Sequence, residues 1–91
     1  MRKRGRVDAN QAEIVRELRA RGCSVMDMSS IGAGMGDLLV GHRGRNIILE
    51  VKTGPTAKLT PAQVRFSLEW AGQWARVSNS VEAWEIINDV T

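Results

Sequence analysis

The sequence predicts an α/β domain with a small mixed sheet flanked by helices, in the order helix, three strands, helix, strand, helix (αβββαβα). Three observations predict it. Segments near residues 10–22, 60–74 and 80–89 carry helix start signals, the first with apolar residues at helical spacing. Short β-branched and leucine-rich runs lie between them, bounded by glycine, proline and serine. Two of those runs, DLLVG and NIILEVK, flank the turn-like HRGR, a hairpin signal.

The elements follow in chain order. NQAEIVRELRARG reads as the first helix, with Asn10 as cap, Glu13 completing an N-x-x-E box, Gly22 ending it, and Ile14, Val15 and Leu18 as its apolar stripe. CSVMDM is the first strand candidate and SSIGAGMG is a loop. DLLVG and NIILEVK are the next two strands, and GPTAKL is a loop. TPAQVRFSLEWAGQW opens the second helix, with Thr60 as cap, Pro61 at the first position and Gln63 three residues after the cap. ARVS is the last strand. SVEAWEIIND is the last helix, with Ser80 as cap. The sheet is expected to be covered on both faces.

At 91 residues the chain makes one domain near the lower end of what folds alone, so a second copy or a bound partner would help it. No apolar run approaches the ~20 residues of a membrane helix, and no apolar h-region follows the basic N-terminus, which argues against a secretory signal. The single cysteine, Cys23, rules out an internal disulfide and suits a reducing cytoplasm. With one cysteine and one histidine, structural zinc is disfavoured. The formal charge is +3, and Arg2, Lys3, Arg4 and Arg6 crowd the start. Residues 1–8 read as a flexible basic arm near a polyanion, or as a solvated terminus, and residues 9–91 as the folded domain.

The stretch GDLLVGHRGRNIILEVKTG places Asp37 ahead of one strand and Glu50 and Lys52 at the end of the next. A hairpin centred on Arg43 and Gly44 pairs Leu39 with Ile48 and sets Asp37 opposite Glu50, with opposed Cβ atoms about 4.5–5.5 Å apart. Lys52 shares their face. Leu38, Val40, Ile47, Leu49 and Val51 fall on the other, apolar face. A loop one residue longer or shorter would break the arrangement. Opposed carboxylates repel, and a lysine or a divalent cation offsets that repulsion. Oxygen ligands without histidine or thiol favour Mg²⁺ or Mn²⁺. Such a metal polarises a phosphoryl oxygen and lowers the pKa of its water, and a neighbouring lysine stabilises developing phosphate charge. The alternative is an ordinary salt bridge at a strand end.

With Asp37 at the start of one strand and Glu50-Val51-Lys52 on the next, the chain resembles the PD-(D/E)xK nuclease superfamily. More closely it resembles the small stand-alone VRR-NUC (virus-type replication-repair nuclease) proteins of phages and prophages. That resemblance runs from about Val7 to Val90, on NQAEIVRELRARG, GAGMGDLLVG, ILEVKTG, KLTPAQ and VSNSVEA. It implies a PD-(D/E)xK nuclease-like fold and a Mg²⁺- or Mn²⁺-dependent endonuclease that hydrolyses DNA, leaving a 5′-phosphate and a 3′-hydroxyl. Asp37 and Glu50 would be metal ligands with the Val51 carbonyl, Lys52 the catalytic lysine, and Gln63 a residue orienting the site. It also implies a homodimer, four-way junctions among the substrates, and a place in the cytoplasm of a bacterial host. Two departures stand out. Gly36 replaces the proline of the superfamily name, and the glutamate that relatives carry on the first helix is matched here by Gln11, a neutral amide in the ligand frame. Glu13 points away and reads as a capping residue.

Several residues keep two readings. Gln63 is either a capping-box residue with Thr60 or part of the site. Ser29 and Ser30, in the glycine-rich loop, are candidates for phosphate contact. GAGMG does not open a helix, which argues against a dinucleotide cofactor. Arg4, Arg6, Arg43, Arg45 and Lys58 are candidate DNA contacts or solubilising charges. His42 reads as a surface residue of the hairpin turn and Cys23 as a buried filler. Trp70, Trp74 and Trp84 either stack on bases or pack in the core or a dimer contact. A non-catalytic nucleic-acid-binding module and an RNA-directed nuclease are the alternative functions.

Overall fold

The structure is a computed structural model that describes residues 4–32 and 34–91; of residues 4–9 it describes the backbone only. The elements are α1 (Arg4–Ala20), β1 (Ser24–Asp27), β2 (Leu38–His42), β3 (Arg45–Val51), α2 (Pro61–Glu69), β4 (Trp74–Val77) and α3 (Ser80–Val90). This is the expected αβββαβα order. The sheet runs β1-β2-β3-β4, with the first three strands antiparallel and β4 parallel to β3.

The hairpin holds the register that the apolar alternation requires. Leu38 pairs with Leu49, Leu39 with Ile48, Val40 with Ile47 and His42 with Arg45. The turn is Arg43-Gly44, both at positive φ (53° and 78°), the two-residue geometry whose twist matches its strands. Leu38, Val40, Ile47, Leu49, Val51 and Val77 therefore share one face. Ile14 and Leu18 of α1 and Ala83 and Ile87 of α3 close over it to form the core.

Local details differ from the sequence reading at three helix ends. Asn10 lies inside α1, because the helix starts at Arg4. Its amide donates to the Lys52 carbonyl at 2.9 Å instead of capping, and Glu13 is exposed. The domain boundary expected at residue 9 thus falls within α1. α2 ends at Glu69 with Trp70 as its C-cap, so Trp74 belongs to β4 and not to that helix. Asn79, not Ser80, caps α3, its side chain accepting from the Glu82 N–H at 2.8 Å. The other end of α1 closes as expected at Gly22, with Cys23 N–H on the Leu18 carbonyl and Gly22 N–H on the Arg19 carbonyl, both 3.0 Å.

Coverage of the sheet is unequal. The second face carries Ser24, Met26, Leu39, Gly41 and Asn46, which line an open cavity of about 200 Å³. α2 reaches this face through Gln63 at Glu50 and buries none of its own residues. Val64, Leu68 and Trp70 stay exposed, Leu68 at 80%. His42 is not a free surface residue: its Nδ1 lies 2.8 Å from Thr91 Oγ1 and its ring meets Trp84 edge-on. No helix among the described residues is long and apolar enough to cross a membrane.

Candidate active site

Three chain segments meet where β2 begins and β3 ends. Asp37 immediately precedes β2. Its N–H donates to the Leu49 carbonyl at 2.9 Å, although Leu49 is already the partner of Leu38. Two residues thus oppose one, a bulge that re-aims the Asp37 side chain. Simple continuation of the pleat does not describe the site. Asp37 Oδ2 accepts the Val51 N–H at 2.8 Å, where a ladder carbonyl would otherwise sit. The chain turns into this bulge through Gly36 (φ +136°), where a Cβ would stand 2.5 Å from Ile48 Cγ2.

Glu50, on the second face of β3, is only 4% exposed. Lys52 follows on the same side, its Nζ 3.7 Å from Glu50 Oε2. Gln63, in the first turn of α2, joins the two. Its Oε1 accepts from Lys52 Nζ at 2.8 Å, and its Nε2 donates to Glu50 Oε2 at 2.9 Å. The same Oε1 accepts the Thr60 N–H at 2.9 Å, and Thr60 Oγ1 accepts the Gln63 N–H at 3.2 Å. Gln63 is therefore both a capping-box residue and a member of the acidic cluster. Asp37, Glu50 and Gln63 line a cavity of about 90 Å³ with Ser29, Gly32, Gly34, Met35 and Gly36.

The electrostatics follow from burial. Glu50 is pushed up to about 7, first by loss of water around its carboxylate and next by the facing Asp37 charge, with Lys52 pulling the other way. A buried carboxylate held against a second one is charge that a small divalent cation would neutralise. The donor set, two carboxylates beside a strand-end carbonyl, suits a hard ion. Among the described residues no group of three His, Cys, Asp or Glu side chains could hold a metal, so the fit rests on this pair.

The other candidates are placed unevenly. Gln11 is buried, but its amide nitrogen donates to Asp27 Oδ2 at 3.1 Å rather than to Asp37 or Glu50. Ser29 lines the cavity, with its hydroxyl donating to Asp27 Oδ1 at 2.6 Å, while Ser30 is exposed nearby. The Ser29 hydroxyl and N–H hold the Asp27 carboxyl below its ordinary range. Lys58 is exposed on the loop that leads into α2. Arg43 and Arg45 are exposed at the hairpin turn, roughly 17 Å from Glu50 along β3 at ~3.3 Å per residue, so they do not join the cluster. The side chains of Arg4 and Arg6 lie outside the described residues. Asp27 and Arg76 carry no signal in the sequence, and Asn10 carries only that of a helix cap, because no local pattern shows their contacts with Gln11, Gly54 and Lys52.

No family model matches the chain, and no curated protein matches it. A solved structure named "VRR_NUC domain" is 27% identical, covers 96% of this chain and 96% of its own, and superposes with a TM-score of 0.74. Near-complete mutual coverage and this superposition give the chain, with its αβββαβα order, the fold of a VRR-NUC nuclease domain.

Proposed function

We propose that this domain is a Mg²⁺- or Mn²⁺-dependent endonuclease that hydrolyses DNA phosphodiester bonds, leaving 5′-phosphate and 3′-hydroxyl ends. Its preferred substrate is branched DNA such as four-way junctions, and it works as a homodimer, as a small phage- or prophage-type enzyme in the host cytoplasm. The observation that carries this reading is the convergence of Asp37, Glu50 and Gln63 on one small cavity, with Lys52 held beside Glu50 by Gln63.

Asp37 and Glu50, with the Val51 carbonyl, would hold the cation, which when bound supplies positive charge to the scissile phosphate. Gln63 keeps the Lys52 ammonium beside Glu50, where it faces charge developing on phosphate oxygens. Gly32, where a Cβ would meet nothing within 4 Å, leaves its part of the cavity wall free of a side chain, so a sugar-phosphate backbone can approach there. Lys58, exposed on the loop before α2, and Ser30, exposed next to Ser29, are assigned to phosphate contact. Arg43 and Arg45 are assigned to a more distant arm of branched DNA, and Arg4 and Arg6 to the N-terminal basic segment. The dimer is supported by α2, whose Val64 and Leu68, one turn apart, are uncovered.

The test is cleavage of junction, duplex and RNA substrates with Mg²⁺ or Mn²⁺. Lys52→Ala and Asp37→Asn should fold and abolish cleavage. Wild-type rates from either variant would refute the assignment. Calorimetric titration with Mn²⁺ should show heat that disappears in Asp37→Asn.

A further inference from the structure

Arg76 lies on β4 directly beside Glu50 in the parallel register. A guanidinium next to a buried carboxylate is expected to pair with it, yet among the described residues the ion pair at Glu50 is made by Lys52. Arg76 reaches past instead. Its Nη2 donates to the Gly54 carbonyl at 2.8 Å and also to the Ala57 carbonyl. Those two carbonyls bound a turn that, among the described residues, is otherwise closed by the Ala57 N–H on the Gly54 carbonyl, at 3.2 Å.

The turn belongs to the segment between Lys52 and Thr60, which has no helix or strand. Each end carries part of the site. Lys52 is fixed to β4 through its N–H on the Val77 carbonyl at 2.9 Å. Thr60 caps α2 and holds the Gln63 amide. α2 buries none of its residues, so apolar packing does not hold its first turn over Glu50. Polar links and close backbone contact must do so. Gly34 supplies the contact, since a Cβ there would stand 2.5 Å from the Ala62 carbonyl oxygen. Charge-assisted hydrogen bonds, stronger than neutral ones, come from Arg76.

We propose that Arg76 is a positioning residue of the active site: by clamping the 54–57 turn it holds the start of α2, and with it Gln63, against Glu50 and Lys52. The proposal rests on the nuclease reading for its catalytic consequence and on the geometry alone for the clamp.

Arg76→Gln and the charge-retaining Arg76→Lys are compared with wild type and Lys52→Ala, with circular dichroism and thermal melts confirming the fold. Amide exchange followed by NMR should be about tenfold or more faster at Ala57, Thr60 and Gln63 in Arg76→Gln, and unchanged at Val40 and Leu49. kcat on DNA should fall about 10–100-fold, with KM and its salt dependence unchanged, and Arg76→Lys should lie between. Unchanged exchange at Thr60 and Gln63 overturns the proposal. So does a rise in KM with a salt slope shallower by about 0.9, the signature of a lost phosphate contact. If wild-type protein cleaves nothing, the nuclease reading falls, and the exchange measurement still decides the clamp.

Discussion

Gln63 shows how one side chain serves both a fold and a site. The Thr60 N–H can only donate, so the oxygen of the Gln63 amide must face it, and the amide nitrogen is left to face Glu50. The capping box thus sets the orientation on which the acidic cluster depends. Gln63→Ala removes both functions. It should cost about 1 kcal/mol of stability in urea melts and slow single-turnover cleavage by about 10–100-fold. Glu50 gives a second residue-scale prediction. Its ordinary value is 4.5 and its folded value about 7. Below 4.5 both folded and unfolded chains hold the proton and no penalty arises. Between 4.5 and 7 the unfolded chain gives up its proton first, so metal-free stability falls as pH rises, by roughly 3 kcal/mol in all. Denaturant melts across that range should show the fall, and Glu50→Gln should flatten it. Added Mn²⁺ should restore stability at pH 8 in wild type but not in Asp37→Asn.

At the scale of elements, the bulge at Asp37 and the glycine loop before it do what a plain hairpin cannot. They turn Asp37 so that its carboxylate accepts the Val51 N–H, and they bring the loop against the start of α2. Gly34 has φ +72° and lies against the Ala62 carbonyl. Gly34→Ala should therefore push α2 outward, lowering cleavage at least tenfold and costing about 1 kcal/mol or more in melts through strain at positive φ, while the core, which does not include α2, stays folded. The hairpin itself is robust. Leu38 and Leu49, paired across it and fully buried, should each cost about 2–5 kcal/mol on replacement by alanine.

The whole molecule is small and one-sided. α1 and α3 cover one face of the sheet, whereas the other is open around Met26 and Leu39, with an uncovered α2 alongside. A 91-residue chain with exposed apolar side chains on one helix gains from association. Sedimentation velocity should find a dimer, and Leu68→Glu should convert it to a monomer. A monomeric wild type at micromolar concentration would remove the homodimer from the proposal.

The sequence by itself determined the element order, the hairpin register and the core face, because alternation of apolar residues permits one register in which Leu38, Val40, Ile47, Leu49 and Val51 stay together. It also brought Asp37, Glu50, Lys52 and Gln63 into view, through short motifs and a family resemblance. Only the tertiary structure decided how those groups are held. Asn10 reaches the Lys52 carbonyl across 42 positions, Arg76 reaches the Gly54 carbonyl across 22, and Gln11 turns to Asp27 rather than to the acidic pair. Such contacts are set by where β4, α1 and the β3–α2 segment come to rest in space. Local periodicity carries no information about a hydrogen bond whose two ends lie on different elements.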